Sequence, residues 1–145
     1  MSPETNKLLV RQFIATIMNA GQLDRLDQFV ARDIIDHNAG PDQAPGIVGY
    51  QQHLIGVRTT FPDFTLTIEA QFAEGAYVIT RVTGRGTHQG AWLGITPRGT
   101  AITVTGINLD CVVDGKIVEH WGEANTVGML QQLGVRLVPP DGLSA

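Results

Sequence analysis

The last third of the chain holds the densest group of side chains suited to proton transfer. His120 and Glu123 lie three residues apart in an alternating stretch, with Trp121 between them. A carboxylate that lies under an indole and away from water has a raised pKa and exchanges protons near neutral pH. The ordinary pKa of histidine is already close to this range. The pair therefore predicts general acid–base catalysis by Glu123 and His120, with an exposed carboxylate and a structural histidine as the alternatives.

Two more polar residues precede this pair in the sequence. Asn108 lies between two apolar residues, so in a strand its side chain takes the opposite face from them. On a cavity wall, Asn108 would donate a hydrogen bond to a carbonyl oxygen. Asp110 shares that face by the same alternation and is a second candidate acid. Both could instead be ordinary polar residues at the end or edge of a sheet.

Composition argues against several other classes of partner. The 145 residues carry a net charge of -4 and show no Lys/Arg cluster, so nucleic acid is not an expected partner. Cys111 is the single cysteine, and the four histidines lack the spacing of metal ligands. No apolar run approaches the roughly 18 residues of a membrane helix. We expect no metal, no cofactor, no membrane partner and a cytoplasmic location.

The elements that must position these residues change from helical to strand spacing after residue 61 and return to helical spacing at residue 127. Ser2-Pro3-Glu4 is typical of a helix start, and apolar residues then recur at helical spacing up to Met18. Further helical patterns cover residues 23–30, 50–61 and 127–133. Strict alternation then predicts strands over residues 64–72, 76–87, 100–113 and 116–125.

Turn residues complete the prediction of the fold. Asp114-Gly115 indicates a tight hairpin, and Gly106 marks a bulge within the longest strand. Helices followed by consecutive hairpins predict an α+β fold, with amino-terminal helices packed on a curved antiparallel sheet. One face of that sheet should line a cavity. The chain is expected to form a single domain over residues 1–145, with a core of about 5–134 and an irregular tail over 135–145.

Several motifs resemble the SnoaL-like family in order and spacing. They are Asp36-His37-Asn38, Phe61-Pro62-Asp63, Gly94-Ile95-Thr96-Pro97-Arg98-Gly99 and the stretch DGKIVEHW of residues 114–121. The resemblance implies the cone-shaped α+β barrel of nuclear transport factor 2 and ketosteroid isomerase, in dimers or higher oligomers. The best-known members of the family are polyketide cyclases, which close a ring by intramolecular aldol condensation without metal or cofactor.

The resemblance also implies a ligand-binding set. It places His37 and Asn38 near the opening of the cavity. The glycines of the loop that holds or adjoins His88 and Trp92 make it a candidate lid, with an ordinary hairpin connection as the alternative. Trp121 is either a core or interface residue or an aromatic wall for a planar substrate. Tyr50 is expected in the core, with its hydroxyl placed to reach the cavity. The predicted substrate-binding residues are His37, Asn38, Tyr50, His88, Trp92, Asn108, Asp110 and Trp121.

Two positions depart from the family pattern. By the resemblance, the catalytic aspartate of the family falls at Gly122 and its helper histidine at Asn108. Glu123 is adjacent to the first position, but a shift of one residue on a strand moves a side chain to the other face. A bulge near Gly122 would bring the Glu123 carboxylate back to the cavity.

The resulting hypothesis is a cofactor-independent, polyketide-cyclase-like enzyme, a lyase or isomerase, acting on an apolar substrate that bears a carbonyl. Removal of a proton beside the carbonyl gives an enolate, which a dry cavity with an aimed donor stabilises. Three alternatives stay open: a hydroxylase-like member of the family, a small-ligand-binding module without catalysis, and a purely structural dimer module. For each of them we expect a homodimer or higher homo-oligomer.

Overall fold

The computed structural model of the protein describes residues 1–141, and it shows a layer of helices against one five-stranded sheet. The predicted α+β fold is confirmed. Residues 135–141 form no helix or strand, as expected for the first part of the tail, whereas residues 142–145 lie outside the described residues. Within the described part, no helix is long and apolar enough to cross a membrane.

The helical layer begins where the sequence predicts. Helix α1 spans Pro3–Phe13, and the Ser2 hydroxyl caps it by accepting a hydrogen bond from the Thr5 amide. The chain continues as a π-helical segment, whose last residue, Asn19, exchanges two hydrogen bonds with the Leu66 backbone. The remaining helical elements are a 3₁₀ turn over Leu23–Gln28, α2 over Gly46–Thr60 and α3 over Thr126–Gln132.

The sheet has the order β1-β5-β4-β3-β2. Its strands are β1 (Val30–Asp36), β2 (Thr65–Glu74), β3 (Tyr77–Thr87), β4 (Ala101–Val113) and β5 (Lys116–Ala124). The sequence analysis did not predict β1, because charged residues interrupt its apolar pattern. This strand pairs in parallel with β5, so the sheet is mixed rather than wholly antiparallel.

The turn between β4 and β5 is confirmed, since Asp114 and Gly115 have φ angles of 49° and 76°. The bulge expected at Gly106 is wrong, because β4 keeps an unbroken register with both neighbours at that residue. The irregularity lies further along: Cys111 pairs with Glu119, whereas Val112 pairs with Ile117. One extra residue on β5 therefore shifts the alternation of side chains between the two faces of the sheet.

Two apolar clusters hold the layers together. The larger cluster fills the space between the helices and the inner face of the sheet, with Val10, Ile17, Val78 and Ile117 almost wholly buried. The smaller cluster contains Phe61, Ile102 and Leu133, and the side chains of Trp92 and Ile95 from the β3–β4 loop pack against it. The larger cluster does not close completely, and the gap is the cavity described next.

Candidate active site

A cavity of about 240 Å³ lies between the helical layer and the inner face of the sheet. Most of its wall is apolar and comes from α1, the π-helical segment, α2, β2 and β3. The polar side chains come from the end of β1, from α2 and from the facing strands β4 and β5. They are Asp36, Asn38, Tyr50, His53, Asn108, Asp110 and His120, with Glu123 also bordering the space.

His120 and Asp110 form the central pair of this cavity. They face each other across β5 and β4, and His120 Nδ1 lies 2.7 Å from Asp110 Oδ1. Their side chains are only 17% and 6% exposed. When Nδ1–H donates to the carboxylate, the other ring nitrogen, Nε2, carries the lone pair of the neutral imidazole. The pair thus has the arrangement of a base and the group that orients it.

The groups around His120 raise its pKa. Burial by itself lowers the pKa of this histidine, but the hydrogen bond and charge of Asp110, together with the charge of Asp36, raise it more. The net effect is a pKa above the ordinary 6.5. His120 is therefore a stronger base than a free imidazole.

Tyr50 and Asn108 supply groups that can donate hydrogen bonds near this base. The Tyr50 ring centroid lies 5.8 Å from that of His120. Burial, followed by the charges of Asp110 and Asp36, holds the pKa of Tyr50 well above 10, so its hydroxyl keeps the proton. Asn108 lies on the same face of β4 as Asp110, and within residues 1–141 its amide makes no hydrogen bond to the protein.

His53 is exposed on α2, as its position before Leu54 predicts, and it also borders the cavity. It lies on α2 one turn after Tyr50 and one turn before Val57, and all three residues line the cavity. Desolvation lowers the pKa of His53, with Asp36 opposing this effect and His120 adding to it. The i, i+3, i+7 spacing from Tyr50 was the signal that could have revealed it.

Asn38 fixes the wall of the cavity at Gly122. Its side-chain Nδ2 donates to the Gly122 carbonyl, and its Oδ1 accepts from the Gly122 amide. This pair of bonds prolongs the pairing between β1 and β5 beyond the end of β1. Asp36 orients the turn, since its carboxylate accepts hydrogen bonds from the Asn38 amide and from Gln43 Nε2.

The sequence pattern of SnoaL-like polyketide cyclases matches residues 8–133. The chain belongs to this family. Nogalonic acid methyl ester cyclase from Streptomyces nogalater is 27% identical over 129 residues, which cover 83% of this chain and 92% of that enzyme.

Solved structures agree with this assignment. The structure of IdmH from Streptomyces antibioticus, a candidate polyketide cyclase, has a TM-score of 0.79 and 32% identity, and the match covers 90% of this chain and 99% of that one. The structure of AclR from Streptomyces galilaeus, a candidate hydroxylase, has a TM-score of 0.80 and 28% identity, with coverage of 92% and 98%.

The two positions that the resemblance assigns to the catalytic aspartate and its helper histidine lie together on the cavity wall of this SnoaL-like chain. Gly122 pairs with Asn108, and both line the cavity. No register shift occurs at Gly122, so the bulge that would turn the Glu123 carboxylate inward is absent. Glu123 is exposed and pairs with Ile107, which is itself exposed on the outer face. Glu123 therefore borders the opening without facing His120.

Two predicted binding residues of the SnoaL-like chain lie on the outer side of the sheet. The rings of His37 and Trp121 stack with centroids 4.1 Å apart and an interplanar angle of 5°. His37 Nε2 also lies 2.8 Å from Glu119 Oε2. Trp121 and Glu119 alternate with His120 along β5, so their side chains take the face opposite the cavity.

The other two predicted residues lie beneath the β3–β4 loop. His88 is fully buried, with its ring centroid 5.7 Å from that of Phe61. Trp92 packs on the same phenylalanine at 6.4 Å. Trp92 packs against the smaller apolar cluster and His88 contacts its Phe61, and neither side chain lines the cavity. Within residues 1–141, no cluster of His, Cys, Asp or Glu side chains is arranged to hold a metal ion.

Proposed function

We propose that this protein is a cofactor-independent enzyme that moves a proton at the carbon beside a carbonyl of an apolar, polyketide-like ligand. The observation that supports this function best is the buried His120–Asp110 pair, which opens onto a mostly apolar cavity. A base whose pKa lies near the working pH is the most effective general base. The apolar walls strengthen each electrostatic interaction within the cavity.

The reaction begins when neutral His120 takes the α-proton of the bound carbonyl compound on Nε2. The electron pair of the broken C–H bond moves to the carbonyl oxygen and gives an enolate. Asn108 and Tyr50 donate hydrogen bonds to that oxygen, and Asp110 stabilises the imidazolium. In a cyclisation the enolate carbon attacks a second carbonyl, whose oxygen then receives the proton. In an isomerisation the proton passes from His120 to a different carbon of a conjugated enolate.

A ligand-binding module without catalysis is the second candidate. It is favoured by the presence of Gly122 and Asn108 at the positions to which the family resemblance assigns the catalytic aspartate and its helper histidine. In a binding module, the cavity and its hydrogen-bonding groups would hold the ligand without catalysing a reaction. The two candidates differ in one measurable property, because only the enzyme would exchange carbon-bound protons of the ligand with solvent.

The deciding experiment measures deuterium incorporation at the α-carbon of 2-tetralone in D₂O by NMR. We expect protein-dependent exchange that falls by about 10²-fold or more in His120→Ala. Glu123→Gln should stay within about twofold of the wild type, because this carboxylate does not face His120. Binding of the ketone without any protein-dependent exchange would support the binding module instead. Loss of exchange in Glu123→Gln alone would assign the base to Glu123.

The proposed assembly is a homodimer through the outer face of the sheet. One row of residues crosses four strands on this face and is apolar throughout: Phe72, Ile79, Leu109 and Trp121. The next row holds Arg81, Ile107 and Glu123. A two-fold axis near Ile107 would place Arg81 of each copy against Glu123 of the other. A two-fold interface needs this kind of self-complementarity.

A further inference from the structure

His53 lies where the cavity meets solvent. It is exposed on α2, and it also lines the cavity. Tyr50, one helical turn earlier, lines the same cavity, and its ring centroid lies 5.8 Å from that of His120. Because residues three apart on a helix share a face, His53 lies beside Tyr50 in the wall that faces His120. Within residues 1–141, no hydrogen bond joins the two histidines directly.

His120 itself has little contact with solvent. Its side chain is 17% exposed, and its Nδ1 atom is bound to Asp110. The other ring nitrogen, Nε2, takes the proton in the proposed reaction, and its route to solvent runs through the cavity that His120 lines. A ligand that fills the apolar part of the cavity would narrow this route. A proton on Nε2 therefore needs an acceptor near the opening.

The other titratable residues of the cavity lining do not suit this task in the described part of the chain. Tyr50 keeps its own proton, since its pKa lies well above 10. Asp110 is the buried partner of the base. Asp36 is half-buried, and each of its carboxylate oxygens already accepts a hydrogen bond. Glu123 is exposed, but its side chain takes the outer face of the sheet. His53 remains as the group that reaches both the cavity and solvent.

We propose that His53 relays protons between buried His120 and solvent, an inference that rests on the proposed function. After His120 has removed the α-proton, its Nε2–H group passes that proton to a water molecule in the opening. This water passes a proton to the unprotonated ring nitrogen of His53, which then releases one to bulk solvent. Each N–H or O–H bond breaks as the next one forms, so the relay needs no co-reactant other than water.

The charges around His53 favour such a relay. Desolvation lowers the pKa of His53, the charge of Asp36 opposes this effect, and the charge of His120 adds to it. Near neutral pH, His53 is therefore largely unprotonated and has a lone pair that can accept a proton. Its lowered pKa then favours release of the proton to water. The carboxylate of Asp36 acts on both histidines and stabilises a positive charge on either of them.

The test removes the relay and then supplies a substitute. We expect His53→Gln to slow deuterium incorporation into 2-tetralone in D₂O by about tenfold, less than the loss of about 10²-fold or more expected for His120→Ala. Imidazole added to the buffer should restore most of the lost rate, because a small soluble base can carry the proton away from the opening. The same addition should change the wild-type rate by less than about twofold. A residue with a purely structural role would not respond to imidazole.

Gln52→Ala is the matched control. Gln52 is the exposed neighbour of His53 on α2 and does not line the cavity. This variant should exchange the α-proton at the wild-type rate, with or without imidazole. In both variants the dissociation constant of 2-tetralone should stay within about twofold of the wild type, because both substitutions are at exposed positions.

The relay and the enzyme fail differently. Equal exchange rates in the wild type and His53→Gln would refute the relay and leave the proposed enzyme intact. The same conclusion follows from a slow rate that imidazole does not raise, or from equal slowing in Gln52→Ala. A wild type without protein-dependent exchange would refute both.

Discussion

At the scale of single residues, the imidazole of His120 carries most of the proposed chemistry, and its environment sets the pH at which it works. Burial opposes protonation, but Asp110 and Asp36 outweigh burial and raise the pKa above 6.5. A general base works only when it is deprotonated. The exchange rate of an α-proton should therefore rise with pH and level off above the raised pKa of His120.

The variant Asp110→Asn tests whether Asp110 raises the pKa of His120. The variant loses the charge that raises the pKa of His120, so the inflection of the pH–rate profile should move to lower pH and the plateau should fall. An NMR titration of the His120 ring measures the same pKa without turnover. If the inflection of Asp110→Asn lies at the same pH as that of the wild type, Asp110 is not the group that raises the pKa of His120.

The raised pKa of His120 also makes the free energy of unfolding depend on pH. Because the pKa in the folded state is raised, protonation of His120 favours folding. This contribution is complete below the unfolded value near 6.5 and is lost as the pH rises through the higher folded value. Urea unfolding between about pH 6 and about pH 9 should show a smaller loss of stability for Asp110→Asn than for the wild type.

Tyr50 offers a second prediction at this scale. Tyr50→Phe keeps the buried ring but removes a hydroxyl that stays protonated at all physiological pH values. We expect α-proton exchange to fall by about tenfold, while the thermal midpoint changes by only a few degrees. A rate equal to that of the wild type would show that this hydroxyl does not reach the ligand oxygen.

At the scale of elements, the end of β1 determines where β5 places the cavity wall. Asn38 both donates to and accepts from the Gly122 backbone. Asn38→Ala loses both bonds at about 1 kcal/mol per bond, and Asn38→Asp sets a charged oxygen against the Gly122 carbonyl in place of the donor, so it should cost at least as much stability as Asn38→Ala. Chemical denaturation of the two variants measures this order. Equal stability of the wild type and Asn38→Ala would show that the contact does not hold the strands.

Helix α2 carries Tyr50 and His53, and its exposed face contains a glycine that the packing does not require. Gly56 is exposed within the helix, and a Cβ there would enter open space. Gly56→Ala should stabilise the protein by about 0.5–1 kcal/mol, because alanine loses less backbone entropy on folding. A rise in the thermal midpoint with unchanged ligand affinity is the expected result, and a fall would indicate an unrecognised contact of this face.

At the scale of the whole molecule, the sheet separates a cavity face from an outer apolar face. Ile79 is 44% exposed at the centre of the outer row, and Phe72 beside it is 65% exposed. Ile79→Arg should disrupt the proposed dimer and leave the fold intact, because the side chain does not contribute to the core. Sedimentation should then give the 15.6 kDa monomer. A wild type that already sediments as a monomer would refute the interface.

Several parts of this protein could be predicted from local patterns in its sequence. Ser2 and Pro3 predicted the start of α1, Asp114-Gly115 predicted the hairpin, and alternation predicted β2 to β5. The shared face of Asn108 and Asp110 also followed from alternation. Helices followed by consecutive hairpins predicted the α+β fold, and the family resemblance implied its barrel form.

The tertiary structure decided which face of β5 lines the cavity. Ile117 is buried in the core, and strict alternation from it would turn Glu119, Trp121 and Glu123 inward. The extra residue between Ile117 and Glu119 reverses this phase and brings His120 and Gly122 inward instead. Such an irregularity depends on how two strands pair. The formation of β1 and the burial of His88 also depend on contacts between segments that are distant in the sequence. Local patterns in a single sequence do not encode those contacts, because each becomes favourable only when both partners are in place.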